Sequence, residues 1–165
     1  MDVDIIQPKV ERAKELLRTA KHAAMATVNQ DGSPHNTPYF FMHSPDLKYL
    51  YWGSSPESEH SKNVARTGQI FVVLYDAFEG GGLFIQANEA HAAKGEELHR
   101  ALVIHNELRA KAGRNSLPPE YYQGDGPQRM YKATVQKFWV NASKRGKDGH
   151  VIRDYRYEIT AEQLL

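Results

Sequence analysis

Gln69 to Tyr75 is a nearly unbroken run of apolar and β-branched residues, and no other segment constrains the fold as tightly. Such a run suits a strand buried on both faces, so it calls for cover above and below and partners alongside. The chain around it supplies strands in hairpin order. Ala23 to Val28 is apolar with β-branched members, Asn29-Gln30-Asp31-Gly32 reads as a tight turn, and Pro34 to His43 returns as the second arm. Ser44-Pro45-Asp46 turns into a short strand, Lys48 to Trp52. Gly80-Gly81-Gly82 leads into a longer strand, Leu83 to Ala93. Met130 to Val140 and His150 to Ile159 are joined by a basic turn around Lys144-Arg145-Gly146-Lys147.

Three helices are predicted among these strands. The first runs from Pro8 to Thr19, with Val10, Ala13, Leu16, Leu17 and Ala20 recurring on one face. The second carries Lys62 and ends before Gly68, a good residue for a left-handed cap; both Ser55 and Ser58 fit its start. The third spans Glu96 to Ala112, with Leu98, Ala101, Leu102, His105 and Leu108 near one face. Gly113 to Pro127, rich in Gly and Pro, reads as a surface loop. No internal repeat is visible. The order predicts one α+β domain over 1–165, mainly β, whose consecutive antiparallel strands can close into a small barrel with flanking helices.

Composition narrows the function classes. A chain of 165 residues with 41% hydrophobic and 25% charged content falls in the range of folded proteins. Its formal net charge of +1 argues against a protein built to hold a polyphosphate chain, so no nucleic-acid partner is expected. The absence of cysteine excludes disulfides, thiol catalysis and cysteine-ligated metal centres. The acidic start Met1-Asp2-Val3-Asp4 has no apolar core of a signal peptide, and no apolar run reaches the roughly 18 residues of a membrane span. The expectation is a cytoplasmic protein with no membrane partner.

The segment Tyr51-Trp52-Gly53-Ser54-Ser55 through Ser61-Lys62-Asn63 is the strongest candidate for chemistry. Hydroxyls, main-chain N–H groups at a helix start and one ammonium suit a phosphate. Serines also cap helices and lysines also face water, and spacing alone leaves both readings open. In Asn36-Thr37-Pro38-Tyr39, Pro38 removes a ladder donor in mid-strand, which fits an edge, a bulge or a bend that exposes main chain to a flat heterocycle. Phe40 and Phe41 beside it suit the core. Trp139 suits core packing, a ligand cover or a subunit contact. The eight histidines show no metal spacing; His91, His99 and His105 read as surface or interface residues, and no metal site is expected. Neither a GxSxG nor a dinucleotide fingerprint occurs. Lys144 to Arg156 reads as a solvated basic hairpin.

Taken in chain order, these segments resemble the pyridoxamine 5′-phosphate oxidase-like family of FMN-binding split β-barrels. The likeness runs from Ala23-Ala24-Met25-Ala26-Thr27-Val28 through Asp31 to Phe40, Tyr51 to Ser55, Ser61-Lys62-Asn63-Val64, Ile70 to Leu74, Phe84 to Ala90, and Arg129-Met130-Tyr131-Lys132 to Trp139. The resemblance implies an antiparallel split barrel and a homodimer with FMN sites at the subunit interface. It places Asn36, Thr37, Pro38 and Tyr39 along the isoalloxazine, Tyr51 and Trp52 near the ribityl chain, and Ser54, Ser55, Ser61 and Lys62 at the phosphate. Trp139 then reaches the flavin from the other subunit, and Gln86 lies on a strand facing the site.

Three departures limit what carries over. Val151-Ile152-Arg153 stands where true pyridoxamine phosphate oxidases have an Arg-Leu-His run, Thr37 where they have an arginine, and Ser61 where they have a second basic residue. Vitamin B6 oxidation is therefore not implied. The expected function is an FMN-dependent oxidoreductase acting on a small-molecule substrate. The alternatives are a non-catalytic flavin-binding sensor or stress module, or the same barrel with deazaflavin or haem, the last with His60 as an axial ligand. No catalytic side chain is assigned; His35, Lys137 and Arg153 are the cations that stand open as partners for the reduced ring.

Overall fold

The computed structural model describes residues 3–76 and 80–165, with side chains from residue 6 onward; Met1 and Asp2, at the acidic start, lie outside them. An opening helix α1 (Val3–Thr19) is followed by strands β1 (His22–Val28), β2 (Pro34–Phe40), β3 (Met42–His43) and β4 (Tyr49–Ser54). Helix α2 (Glu59–Thr67) leads to β5 (Ile70–Tyr75) and β6 (Gly82–Ala92). Helix α3 (Gly95–Lys111), a 3-10 turn (Pro119–Tyr122), β7 (Arg129–Arg145), β8 (Val151–Ile159) and α4 (Ala161–Leu164) complete the chain. The fold is mainly β, an antiparallel curled sheet in the order β2-β1-β5-β6-β7-β4-β3 with four helices on its flanks.

Strand β7 organises the sheet. One edge pairs with β6. The other pairs with β4 over Arg129–Thr134 and then with β8 from Phe138 onward, so the sheet divides along this edge. Curling brings β2 back toward β4: Tyr39 lies edge-on to Trp52 with ring centroids 6.1 Å apart, and Trp52 stacks on Tyr131 at 5.4 Å. The interior fills with Met25, Leu50, Trp52, Val72, Leu74, Leu83 and Ile85, all fully buried. A second apolar cluster joins Tyr51, Met42 and Met130 to Leu98, Ala101 and Leu102 of α3.

Several expectations need correction. Helix α1 begins before Pro8, which sits inside it; only its own main-chain donor is lost there. The return strand is interrupted at Phe41, whose N–H continues the β1 register to Lys21 O at 3.0 Å, before Met42 and His43 pair with β4, so β2 and β3 are separate pieces. Strand β4 runs on to Ser54 because Gly53 and Ser54 find partners in Met130 and Arg129. Strand β5 alternates: Ile70, Val72 and Leu74 are buried, Phe71 and Val73 half-buried, and Tyr75 exposed. Its outer face therefore lacks, within this chain, the full cover that its composition suggests. His105 is buried against Tyr122 and Phe40 rather than placed on the surface. Helix α4 lies beyond the predicted elements, and Thr160 and Gln163 cap its start with reciprocal hydrogen bonds.

Helix α2 lies across one end of the barrel, and a buried amide holds it there. Asn63 Nδ2 donates to Thr27 Oγ1 at 3.0 Å and to Asn29 Oδ1 at 2.8 Å, while Arg66 donates to Asn63 Oδ1 at 3.2 Å and to Val28 O. At its C-terminus Gly68 takes a left-handed φ of 62° and donates to Val64 O. No helix among the described residues is long and apolar enough to cross a membrane. Replacing Asn63 by Ala leaves the Thr27 hydroxyl buried without this partner. Chemical denaturation is expected to show a loss of about 1–3 kcal/mol; an unchanged midpoint would mean that α2 is held by packing alone.

Candidate functional site

The loop from β4 into α2 gathers hydroxyls around one imidazole. Ser54 Oγ lies 2.7 Å from His60 Nε2 and 3.0 Å from Ser58 Oγ, and Ser58 Oγ lies 2.9 Å from Ser61 Oγ. Ser58 is the N-cap residue of α2, yet its hydroxyl gives the helix no cap bond and goes instead to Ser55 O at 2.8 Å. The first-turn N–H groups of α2 are thus left without that cap, in the arrangement that favours an anion. Ser55 Oγ accepts from Glu57 N at 3.2 Å, and Lys62 Nζ stands 3.7 Å from Glu57 in an exposed, weak pair. So Ser54, Ser55, Ser61 and Lys62 do come together, on one short segment.

Strand β2 runs alongside. His35 stacks on His60 with centroids 6.3 Å apart and an interplanar angle of 19°. Alternation divides the rest of the strand. Thr37 pairs in register with Met25 and shares the inward side with buried Tyr39, while Asn36 and Pro38 are exposed on the outer side. The registers then carry two rows across the outer face. One runs Asn36, Ala26, Phe71, Gln86, Lys137; the other runs Pro38, Ala24, Val73, Phe84, Trp139, Glu158. Gln86 and Trp139 therefore share a face with Asn36 and Pro38. Trp139 is half-buried, tilted over Phe71 at 6.0 Å, with Lys137 beside its ring and Lys137 paired to Glu158 at 3.0 Å. Arg156 covers Phe84 and Phe71, 4.2 and 5.0 Å from their ring centroids.

Two expected site residues turn their side chains elsewhere. Trp52 is wholly buried in the barrel and Tyr51 packs under α3, which leaves only their main chain for a ligand. Arg153 lies on the exposed distal part of the β7–β8 hairpin, in register with Lys144.

A cleft of about 670 Å³ opens on the flank of α2 that carries Ser61 and Lys62. Its far wall brings His91, Lys94 and Arg129, and its floor is made of Val64, Ala90, Ala92, Ala93 and Tyr131. Arg129 pairs in register with Ser54 and donates to the carbonyls of Gly124, Gly126 and Gln128 at 2.6–2.8 Å, which fixes the loop at the mouth. Sequence reasoning gives these three residues no role in a site, since they are scattered along the chain and meet only through β6–β7 pairing. Among the described residues no group of three or more His, Asp or Glu side chains is placed to hold a metal ion.

Burial, and then the neighbouring His35, hold His60 below the ordinary imidazole value of 6.5. The folded protein therefore prefers this ring neutral, and the unfolded chain takes up the proton first. The sign follows: His60 contributes stability above pH 6.5, and that contribution is lost as pH falls through the lowered native value. His105, lowered by burial and by Arg109, acts in the same direction. Thermal unfolding is expected to show lower stability near about pH 5.5 than near about pH 7.5, with His60→Gln narrowing the difference. An unaltered gap in His60→Gln would assign the effect to other groups.

Comparison with known proteins sets this geometry in context. No curated protein matches the sequence. A Clostridium acetobutylicum protein related to general stress protein 26 superposes with a TM-score of 0.62 at 12% identity, over 96% of this chain and 99% of that one. A haem-binding protein from Mycobacterium smegmatis gives 0.64 at 18%, over 94% of this chain and 59% of that one. An F420 reductase gives 0.56 at 13%, over 76% and 94%. These identities establish a shared fold. The family model for pyridoxamine 5′-phosphate oxidase matches residues 10–142, most of the curled sheet and its helices, and the chain belongs to that family.

Proposed function

We propose that the protein binds FMN and acts as an FMN-dependent oxidoreductase on a small-molecule substrate. The observation that carries this reading is the adjacency of two parts that a phosphorylated flavin needs. The open start of α2, with its serine hydroxyls and Lys62, stands beside the edge strand β2, as the His35–His60 stack requires. The donor set fits the ligand: hydroxyls, helix N–H groups and one ammonium suit a phosphate, and an edge strand with exposed Asn36 and Pro38 offers main chain to the polar rim of a ring. Ser54, Ser55, Ser61 and Lys62 hold the phosphate in this reading, with Thr37 and Tyr39 on the inward side of β2. Bound there, the flavin supplies hydride or electron transfer at its N5.

Alternation along β2 also bears on assembly. Asn36 and Pro38 share their face with Gln86 and Trp139, opposite the side that meets α2. A ligand that touches both sets draws them from two copies of the chain, or else wraps the β2 edge. The first arrangement also covers Phe71, Phe84 and Trp139, and so the reading includes a homodimer with Trp139 donated across the interface. Lys137 and Arg156 lie on that outer face, where a cation beside the reduced ring stabilises its negative charge.

A haem-loaded barrel is the second reading. It is favoured by the paired imidazoles His35 and His60 and by the fold shared with a haem-binding protein.

The absorption spectrum of the protein as purified separates these readings. Flavin bands support the first, and a Soret band the second. Protein that is colourless and unresponsive to added FMN would overturn the flavin reading. Lys62→Ala is expected to weaken FMN by about 1–3 kcal/mol in a fluorescence titration, and to leave riboflavin, which lacks the phosphate, unchanged. Equal affinity of both proteins for FMN would return Lys62 to the solvated surface.

A further inference from the structure

The cleft beside α2 has a charge pattern that a single phosphate does not account for. His91, Lys94 and Arg129 reach it from the end of β6, the start of α3 and the start of β7, with Lys62 on its rim. Among the described residues none that lines it is acidic. The carboxylates nearby are turned to other tasks: Glu97 bonds His91 at 2.8 Å and Lys132 at 2.7 Å, Glu96 pairs with Arg100, and Glu57 stands in the weak exposed pair with Lys62. The bond from Glu97 raises the His91 pKa above 6.5, and because that carboxylate stays on the ring, His91 enters the cleft as a paired donor rather than a free cation.

The guanidinium of Arg129 meets only neutral carbonyls, so it is held in place without losing its charge. Lys94 is exposed at the N-cap of α3, and its ammonium makes no hydrogen bond or ion pair among the described residues, so it is available to a ligand in the cleft. At about 670 Å³ the cleft lies within the range of small-molecule sites, well beyond one phosphate. Its floor of alanines, Val64 and Tyr131 adds an apolar bed between the cations.

We propose that this cleft binds a small molecule carrying at least two anionic groups, held by Arg129, Lys94 and His91 with Lys62 at the rim. The same chemistry has two sources: a separate polyanionic ligand, or the anionic extension of a cofactor whose first phosphate sits at α2. The site stands on its own lining and does not depend on flavin binding.

Inorganic pyrophosphate and orthophosphate, titrated calorimetrically into the full chain at low salt, are the probes. One equivalent of pyrophosphate is expected to bind at least about tenfold more tightly than orthophosphate, and to weaken as salt rises. Lys94→Gln and Arg129→Gln are each expected to lower pyrophosphate affinity about tenfold, with Lys144→Gln on the distal hairpin without effect. Lys94→Gln removes no hydrogen bond from the fold, so it remains decisive where Arg129→Gln loosens the loop. Pyrophosphate displaced by FMN marks the cleft as an extension of the cofactor site; pyrophosphate bound equally with and without FMN marks a separate ligand. Pyrophosphate no tighter than orthophosphate, or affinity untouched by Lys94→Gln, would overturn the proposal. Pyrophosphate binding without any flavin binding would sink the flavin reading alone.

Discussion

The sheet closes through aromatic side chains rather than hydrogen bonds, and the rest of the architecture follows from that seam. Tyr39 of β2 meets Trp52 of β4, and Trp52 stacks on Tyr131 of β7, drawing the two ends of the strand order together. A closed ladder would have used the outer edge of β2. The seam leaves that edge unpaired, with Pro38 in it, and so exposes main chain beside α2. The closure carries a cost. Among the described residues Tyr39 Oη and Trp52 Nε1 are buried without hydrogen-bond partners, each worth about 1–3 kcal/mol of lost solvation. Large rings at the seam offset this through burial and edge-to-face contact.

Helix α2 separates two environments of different charge. On the β2 side, His60 is held toward its neutral form and surrounded by serine hydroxyls, so the anion-binding character there comes from helix N–H groups and oriented dipoles. On the other flank, Arg129, Lys94 and His91 meet around a cleft that Ser61 and Lys62 also line, so Lys62 lies between the two, and none of the described lining residues is acidic. The fixed position of α2, set by the Asn63 amide and Gly68, is what keeps these two environments apart. Ser61, immediately before Lys62, lies buried with its hydroxyl accepting from Ser58, and Arg129 lines the same cleft as Lys62.

Much of this arrangement was legible in the residues. Turn chemistry at Asn29 to Gly32, the proline in β2 and the glycine after Thr67 located the hairpin, the edge and the end of α2. Clustered Ser54, Ser55, Ser61 and Lys62 were legible because they are neighbours in sequence. Trp52 and Tyr51 were not, because strand alternation sends one into the barrel and the other under α3, and an aromatic pair reads the same in either orientation. Ser54 and Arg129 face each other only through the β4–β7 register, which no local pattern encodes. The break at Phe41 likewise depends on a change of partner, from β1 to β4, that no local pattern encodes.

Strand β5 shows how composition and a single chain can disagree. Its run of apolar residues calls for cover on both faces, yet Phe71 and Val73 are only half-buried and Tyr75 is exposed. On the same face, Phe84 and Trp139 are half-buried, and Arg156 lays its guanidinium over two of the rings. A polar outer face would have satisfied an isolated barrel, since half-buried strands normally alternate with polar residues. An apolar stripe capped by one arginine is instead the composition of a surface that is covered part of the time or by something else. In the homodimer proposed above, a second copy laid on this face would give β5 the burial its sequence calls for and would bring Gln86 and Trp139 toward the open edge of the other subunit's β2. Under that proposal assembly and ligand contact would share this face, and a substitution at Phe84 would be felt by both.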